Sequence, residues 1–471
     1  MAALPSRLRV GLRSRERVMR HCISPGGEQS SMTGRRGQIV ASLSCIAPIG
    51  PDVTQRRLLP IIFGMTHAGK SLLWAGADAF TLFILIKVLD IPPVMAGTLF
   101  VLSSFWNAMV DGIWGHIVNR RMAIRAMLPG VCGLAAGLGC LSFAILPWLP
   151  AGIMPGTIFA LFLFRTTFSL IDVPHNATAA ALANIHGHLS VARWRSILSA
   201  LTAIMVAAAA LPMTGAATMV PHMARMIFPA IALMACLLLA PLPWLIRMTR
   251  QATPVSRAGR LDRAKRVPMR GLGLFCLSQM LGFAALACMG KAMLHTGALE
   301  GWLLDYALLI LTIVRLAAVG LWSPIAAHIG SAKALSLAYI CSALSAITLP
   351  AAIGQGGLSA AIILGLLGLS LGGVILLAWS SFSEQLPRWG MADDPAAAVR
   401  AYGWFTATAK VGLGFSGLFT GAWLGQVGGG SIWALWLLVM PVALLCVASA
   451  SMAWCGWRFR MPLASHRLEP A

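Results

Sequence analysis

The sequence predicts an all-α membrane protein with about twelve transmembrane helices in two halves of six, and three observations lead there. The chain is 58% hydrophobic and only 11% charged, with a mean hydropathy of +0.80, a balance foreign to a soluble domain of this length. Apolar runs recur from residue 63 to residue 456, each long enough to cross about 30 Å of hydrocarbon as a helix. Lysines and arginines gather in alternate gaps between those runs, as they do where gaps face the cytoplasm. A net charge of +22 would point to nucleic acid in a soluble protein; distributed this way it encodes topology, and no nucleic-acid partner is expected.

Residues 1–57 precede the first run and are basic, with serine, glycine and proline interspersed. The longest apolar piece, Ile39 to Gly50, is too short to span and lies far from the terminus, so no signal peptide is read. The segment is either a disordered cytoplasmic extension or the product of an early start assignment, with Met19 and Met32 as alternative starts.

The spans follow at roughly 63–89, 93–118, 126–149, 153–183, 196–214 and 225–248, then 271–295, 301–328, 335–354, 357–382, 401–425 and 431–456. Arg120, Arg121 and Arg125 follow the second span, Arg193 and Arg195 the fourth, Lys333 the eighth, and Arg388 and Arg400 the tenth. Arg458, Arg460 and Arg467 lie in the tail, whereas the opposite side carries only Arg225. Both termini are therefore expected in the cytoplasm of a cell (inner) membrane protein. Thr249 to Arg270 is the one long polar connection, with seven basic residues against Asp262, and it divides the spans six and six. The expected organisation is an extension (1–57), a first half (58–248), a central loop (249–270), a second half (271–456) and a tail (457–471). An echo suggests duplication: the second span ends Gly115-His116-Ile117-Val118-Asn119-Arg120, the eighth Ala327-His328-Ile329-Gly330-Ser331. Two six-span halves around a basic loop are the major facilitator arrangement, which binds substrate at the midplane between the halves.

Ionisable groups inside the apolar runs are where function is expected, because each is expensive in hydrocarbon and needs a cavity or a partner. Asp111 lies well inside the second span, with Asn107 and Gly115 on the same helical face; a helix-packing face is the bland alternative, and a site for a proton or small cation the sharper one. Asp172 in the fourth span stands two residues before Pro174, which releases a backbone carbonyl and makes the locality polar. Arg165 is weaker, a candidate for a structural pair. Either Arg193 or Arg195 turns inward or anchors its helix at the interface. Lys410 is too deep in the eleventh span to snorkel and is expected to meet Asp172 or another acid. The first span holds Lys70 and Asp78, with Lys87 as a terminal anchor, whereas Lys291, Asp305 and Arg315 read as structural pairs or anchors.

Other motifs carry little. Ten cysteines are scattered without a Cys-x-x-Cys pair and read as small core residues. The sequon Asn176-Ala177-Thr178 lies within a membrane span, and His186-Gly187-His188 lacks acid or cysteine partners for a metal. No phosphate loop, nucleophile elbow or zincin motif is present. Neither an enzyme nor a bound cofactor or metal is expected.

Together these motifs resemble the glycoside–pentoside–hexuronide:cation symporters, the family typified by melibiose permease. The family's WDAxxDPxxG element is matched by Trp106-Asn107-Ala108-Met109-Val110-Asp111-Gly112-Ile113-Trp114-Gly115, and its D-I-P element by Asp172-Val173-Pro174. Its first-span FGK-D is matched by His67-Ala68-Gly69-Lys70-Ser71, and its eleventh-span lysine by Lys410. The resemblance, over 60–456, implies a cation site of Asp111, Asn107 and Ser169 and a substrate site of Lys70, Asp78, Asp172, Arg195, Thr406 and Lys410. The departures are specific. Asn107 stands for the first acid of the cation motif, Gly112 for its proline, Ser71 for the acid after Lys70, and Asn176 for the substrate-stacking aromatic. Asp78, seven residues after Ser71 and on the same face, is a substitute for that missing carboxylate.

The expected activity is alternating-access symport of a small polar solute, sugar- or glycoside-like, by a monomer in the lipid bilayer. Loss of one carboxylate leaves Asp111 as a lone acid, which suits H+ better than Na+, the alternative coupling ion. A lysolipid or amphiphile carrier of the same family is the alternative within transport.

Overall fold

The computed structural model describes residues 53–120, 122–152, 154–213, 220–252, 269–295, 302–386, 395–427 and 431–458. The expected extension (to residue 52), most of the central loop and most of the tail lie outside the described residues. The first half contains α1 (Val53–Lys87), α2 (Pro93–Arg120), α3 (Met122–Ile145), α4 (Met154–His186), α5 (His188–Ala210) and α6 (Val220–Leu239). The second contains α7 (Met269–Met293), α8 (Trp302–Ile329), α9 (Ser331–Gln355), α10 (Gly357–Gln385), α11 (Pro395–Val427) and α12 (Ile432–Arg458).

Helix ends differ from the apolar limits for identifiable reasons. Hydropathy marks the part that suits lipid, while backbone hydrogen bonding continues past it, so α11 begins at Pro395 rather than near 401. The expected sixth span is broken near Pro241, which has no N–H to give the preceding turn, and resumes as the short helix Leu242–Ala252. Gly187 (φ +86°) and Gly330 (φ +87°) supply the left-handed backbone for the one-residue turns from α4 to α5 and from α8 to α9.

Two apolar cores form, one from Leu59 to Met248 and the other almost wholly from Leu272 to Ala453. Large apolar side chains also point outward, including Phe159 at 68% exposure and Leu358 at 74%, as they do when lipid is the solvent. Among the described residues eleven helices are long and apolar enough to cross a membrane. The twelfth long helix, α11, falls short of that apolarity because it is rich in glycine, alanine and threonine and carries Lys410. Its pairing with α2, across the halves, is the most extensive in the fold, while Trp404, Phe415 and Phe419 point outward. The second cross-half contact is made by α5 on α8 and α10.

Glycine permits the α2–α11 approach. A Cβ on Gly421 would lie 2.5 Å from the Pro93 carbonyl oxygen and 3.0 Å from the Gly97 Cα, backbone that cannot move aside. Gly421→Val is therefore expected to lower the melting temperature of the purified protein by several degrees, the effect of about 1–3 kcal/mol of overpacking. An unchanged melting curve would mean that α2 and α11 do not pack this closely.

Candidate functional site

Helical spacing places the polar residues. In α1, His67, Ser71, Trp74 and Asp78 repeat at four- and three-residue steps with Lys70 beside them, and in α4 Arg165, Ser169, Asp172 and Asn176 do the same. These faces meet inside the first half. Pro174 leaves the Leu170 carbonyl without its helical donor, and the Cys132 thiol from α3 donates to it at 3.4 Å.

A chain of alternating charges results. Lys70 Nζ donates to Asp172 Oδ1 at 2.8 Å, and Lys410 Nζ stands 3.1 Å from Asp172 Oδ2. Lys410 also donates to Asp111 Oδ2 at 2.6 Å. The order is thus Lys70, Asp172, Lys410, Asp111, with Lys410 reaching from the second half to two acids of the first. Asn176 joins a fifth charge to the network: its Oδ1 accepts from Lys70 Nζ (3.0 Å) and Arg195 Nη2 (3.0 Å), and its Nδ2 donates to Asp172 Oδ1 (3.0 Å). All these residues are buried, and Asp111 is wholly so. At interior dielectric an isolated charge here would be several kcal/mol unfavourable; in this network each has an opposite charge or an amide dipole.

The residues expected to bind a cation are adjacent but differently engaged. Ser169 Oγ donates to Asn107 Oδ1 at 2.6 Å and sits 3.1 Å from the Asn107 carbonyl. Asn107 Nδ2 and Asp111 Oδ1 are buried without a hydrogen-bond partner. Asp111 is the one acid of this group, and Lys410 sits on its other oxygen.

A cavity of about 300 Å³ lies between the halves. Lys70, Asp78, Asp172, Arg195, Thr406 and Lys410 line it, whereas Asp111, Asn107, Ser169 and Asn176 stand behind that wall. Thr406 spends its hydroxyl on the Tyr402 carbonyl at 3.0 Å within its own helix. Arg195 is the arginine that turns inward, stacked 3.8 Å over the Trp379 ring, while Arg193 is exposed. Arg165 carries no ion pair among the described residues and is held among the rings of Phe100 (5.2 Å) and Trp74 (5.5 Å). Asp78 pairs across the halves with Lys291 at 2.6 Å, rather than with a residue of its own half.

Lys291, read as a structural pair or anchor, is indeed paired, with Asp78, and both it and Arg315 line the cavity, because α7 and α8 turn those faces to the centre. Residues to which the sequence alone gives no role also enter the wall. His67 Nε2 lies within 3.1–3.3 Å of Ser199 Oγ, the Arg195 carbonyl and Ser71 Oγ, and its ring stacks with His175 at 5.5 Å. Trp379 sits in an apolar run, and no periodicity distinguishes it from lipid-facing tryptophans.

A buried charge chain at the junction of two six-helix halves, beside a central cavity, is the geometry of a solute carrier, and comparison with known proteins agrees. The model of the MFS/sugar transport protein family matches residues 62–431. The chain belongs to that family. Two solved structures share the fold. One is the nucleoside transporter NupG (TM-score 0.55, 13% identity, 84% of this chain and 98% of that one). The other is an auto-inhibited POT family peptide transporter (TM-score 0.56, 15% identity, 88% and 99%). Identities this low carry the fold alone. No curated protein matches the sequence. As a member of the MFS/sugar transport protein family the chain is an integral multi-pass membrane transporter with a small-molecule substrate.

Proposed function

We propose that the protein carries a small polar solute, sugar- or glycoside-like, in symport with a proton by alternating access. The observation that carries this reading is Lys410, which bridges Asp111 and Asp172 across the halves. Rocking of one half against the other must break and remake that bridge. A proton on Asp111 removes one partner of Lys410, and a solute engaging Asp172 competes for the other. With only one of the two bound, one acid still holds Lys410 and the bridge between the halves stays in place. With both bound Lys410 is released from both acids, so the two loads move together. Sodium fits less well. It would have to displace an ammonium at 2.6 Å from Asp111 and then find further oxygens, while Ser169 already donates to Asn107.

An amphiphile carrier is the second reading, favoured by the apolar side chains Phe283, Leu286, Leu311, Leu371 and Leu413 in the cavity wall.

The test is uptake into proteoliposomes from a panel of labelled sugars, glycosides and a lysolipid, under a pH gradient or a sodium gradient. At least one solute is expected to accumulate with the pH gradient, to cease with a protonophore, and to ignore sodium. Accumulation that saturates with sodium at fixed pH would overturn proton coupling, and lysolipid movement alone would replace the polar solute by an amphiphile.

A further inference from the structure

The cavity's charge is not balanced by its own residues. Lys70, Arg195, Lys291, Arg315 and Lys410 line it, against Asp78 and Asp172. Counting Asp111 behind the wall, five cations face three carboxylates. The pairing is also uneven. Lys70 and Lys410 share Asp172 and Asp111, and Lys291 takes Asp78. Among the described residues no carboxylate is within ion-pair distance of Arg195 or Arg315. Arg195 is 6% exposed, and its Nε is buried without an acceptor. Its partners are the neutral oxygen of Asn176 and the face of Trp379.

A guanidinium stays charged at any physiological pH, so this excess cannot be relieved by losing a proton. Held between helices inside a bilayer, it is relieved by a counter-anion. The two guanidinium groups come from different halves, Arg195 on α5 and Arg315 on α8, helices that pack together at the second cross-half contact. An anion held by both would draw the halves together there, as α2 and α11 are drawn by glycine packing. The rest of the wall is mostly apolar and aromatic, with Trp74, Phe168 and Trp379 among it, beside His67 and several serines and threonines.

Resting on the reading of this cavity as the transport site, we infer that the solute is an organic anion: a carboxylate or phosphate-type group held by Arg195 and Arg315, on a body that packs against the aromatic wall. Guanidinium suits such a group because its N–H donors match two oxygens at once. The neutral sugar-like solute becomes its acidic counterpart.

The test uses the purified full chain and pairs of probes that differ in charge and hardly in shape: gluconate against glucitol, and phenylacetate against phenylacetamide, with sulfate at matched ionic strength. Binding is read from thermal unfolding across a concentration series. At least one organic anion is expected to raise the unfolding temperature, with an affinity at least tenfold above that of its neutral partner. Arg315→Gln and Arg195→Gln are each expected to weaken that binding tenfold or more. Silence of both anions, equal effects of a neutral partner, a shift reproduced by sulfate, or unchanged affinity in the two variants would each overturn the inference. Uptake separates this from the transport reading. A neutral solute driven by the pH gradient while the anions are ignored removes the anion and keeps the symporter. Anion binding without gradient-driven flux removes the symporter and keeps the anion site.

Discussion

Lys410→Gln is expected to bring solute uptake below about one hundredth of the wild-type rate. Lys410 is the cation nearest Asp111, at 2.6 Å, and Asp111 is fully buried. Asp172 loses one of its two ammonium partners in the variant and keeps Lys70 at 2.8 Å. Asp111 keeps none among the described ion pairs. Removing one member of a buried pair typically destabilises by about 3–5 kcal/mol, since the remaining charge is left in low dielectric. That is more than a hundredfold in any equilibrium that requires the ionised site. The carboxylate escapes by holding a proton permanently, which abolishes the release step of the cycle. Two measurements separate stability from function. Lys410→Gln is expected to lower the melting temperature of the purified protein, and adding Asp111→Asn to restore it, because the double variant buries an amide in place of a charge. Uptake is expected to remain absent in the double variant, because the cross-half bridge is still missing. A double variant that transports at the wild-type rate would show that Lys410 only neutralises Asp111.

The buried charges were legible in the sequence one at a time. Asp111, Asp172 and Lys410 stand out because ionisable residues in apolar runs are rare and expensive. Opposite signs in opposite halves led to the expectation that Asp172 and Lys410 approach, and they lie 3.1 Å apart. That Lys410 also takes Asp111 was not legible, since choosing between two acids depends on the rotation of α2 and α4 about their axes. That Lys291, besides pairing with Asp78, and Arg315 line the cavity was not legible for the same reason: it depends on which way α7 and α8 turn about their axes. Trp379 carried no signal, because a tryptophan in an apolar helix has the same hydropathy whether it meets lipid or a guanidinium, and His67 was visible only as a member of the first-span motif, with no role attached. The helix count was legible except where a local rule intervened. Pro241 divided the sixth span, and α11, the long helix that falls short of a membrane span's apolarity, spends much of its surface on α2 of the other half.

Asp111→Asn is expected to uncouple transport rather than abolish it. Asparagine preserves the shape of the side chain and its carbonyl oxygen, so Lys410 retains an acceptor there and Asp172 as a charged partner. The variant cannot exchange a proton at this position. In the wild type, carrying one proton per solute, a gradient of one pH unit supplies about 1.4 kcal/mol and supports up to about tenfold accumulation. In Asp111→Asn the same gradient is expected to leave the internal and external concentrations equal. Exchange of labelled for unlabelled solute, which needs no net driving force, is expected to continue at a measurable rate. The cavity wall explains why binding survives, since Asp111 stands behind it while Lys70, Asp172 and Arg195 line it. Asn107 sits one turn away with a buried Nδ2 lacking any partner, so a second neutral amide at 111 has a neighbour with which to hydrogen-bond. Proteoliposomes loaded at one pH and diluted into another read both quantities from the same preparation. Gradient-driven accumulation that persists in the variant would move the proton site elsewhere, and His67, whose ring lies in the cavity wall beside Ser71 and Ser199, would be the group to substitute next.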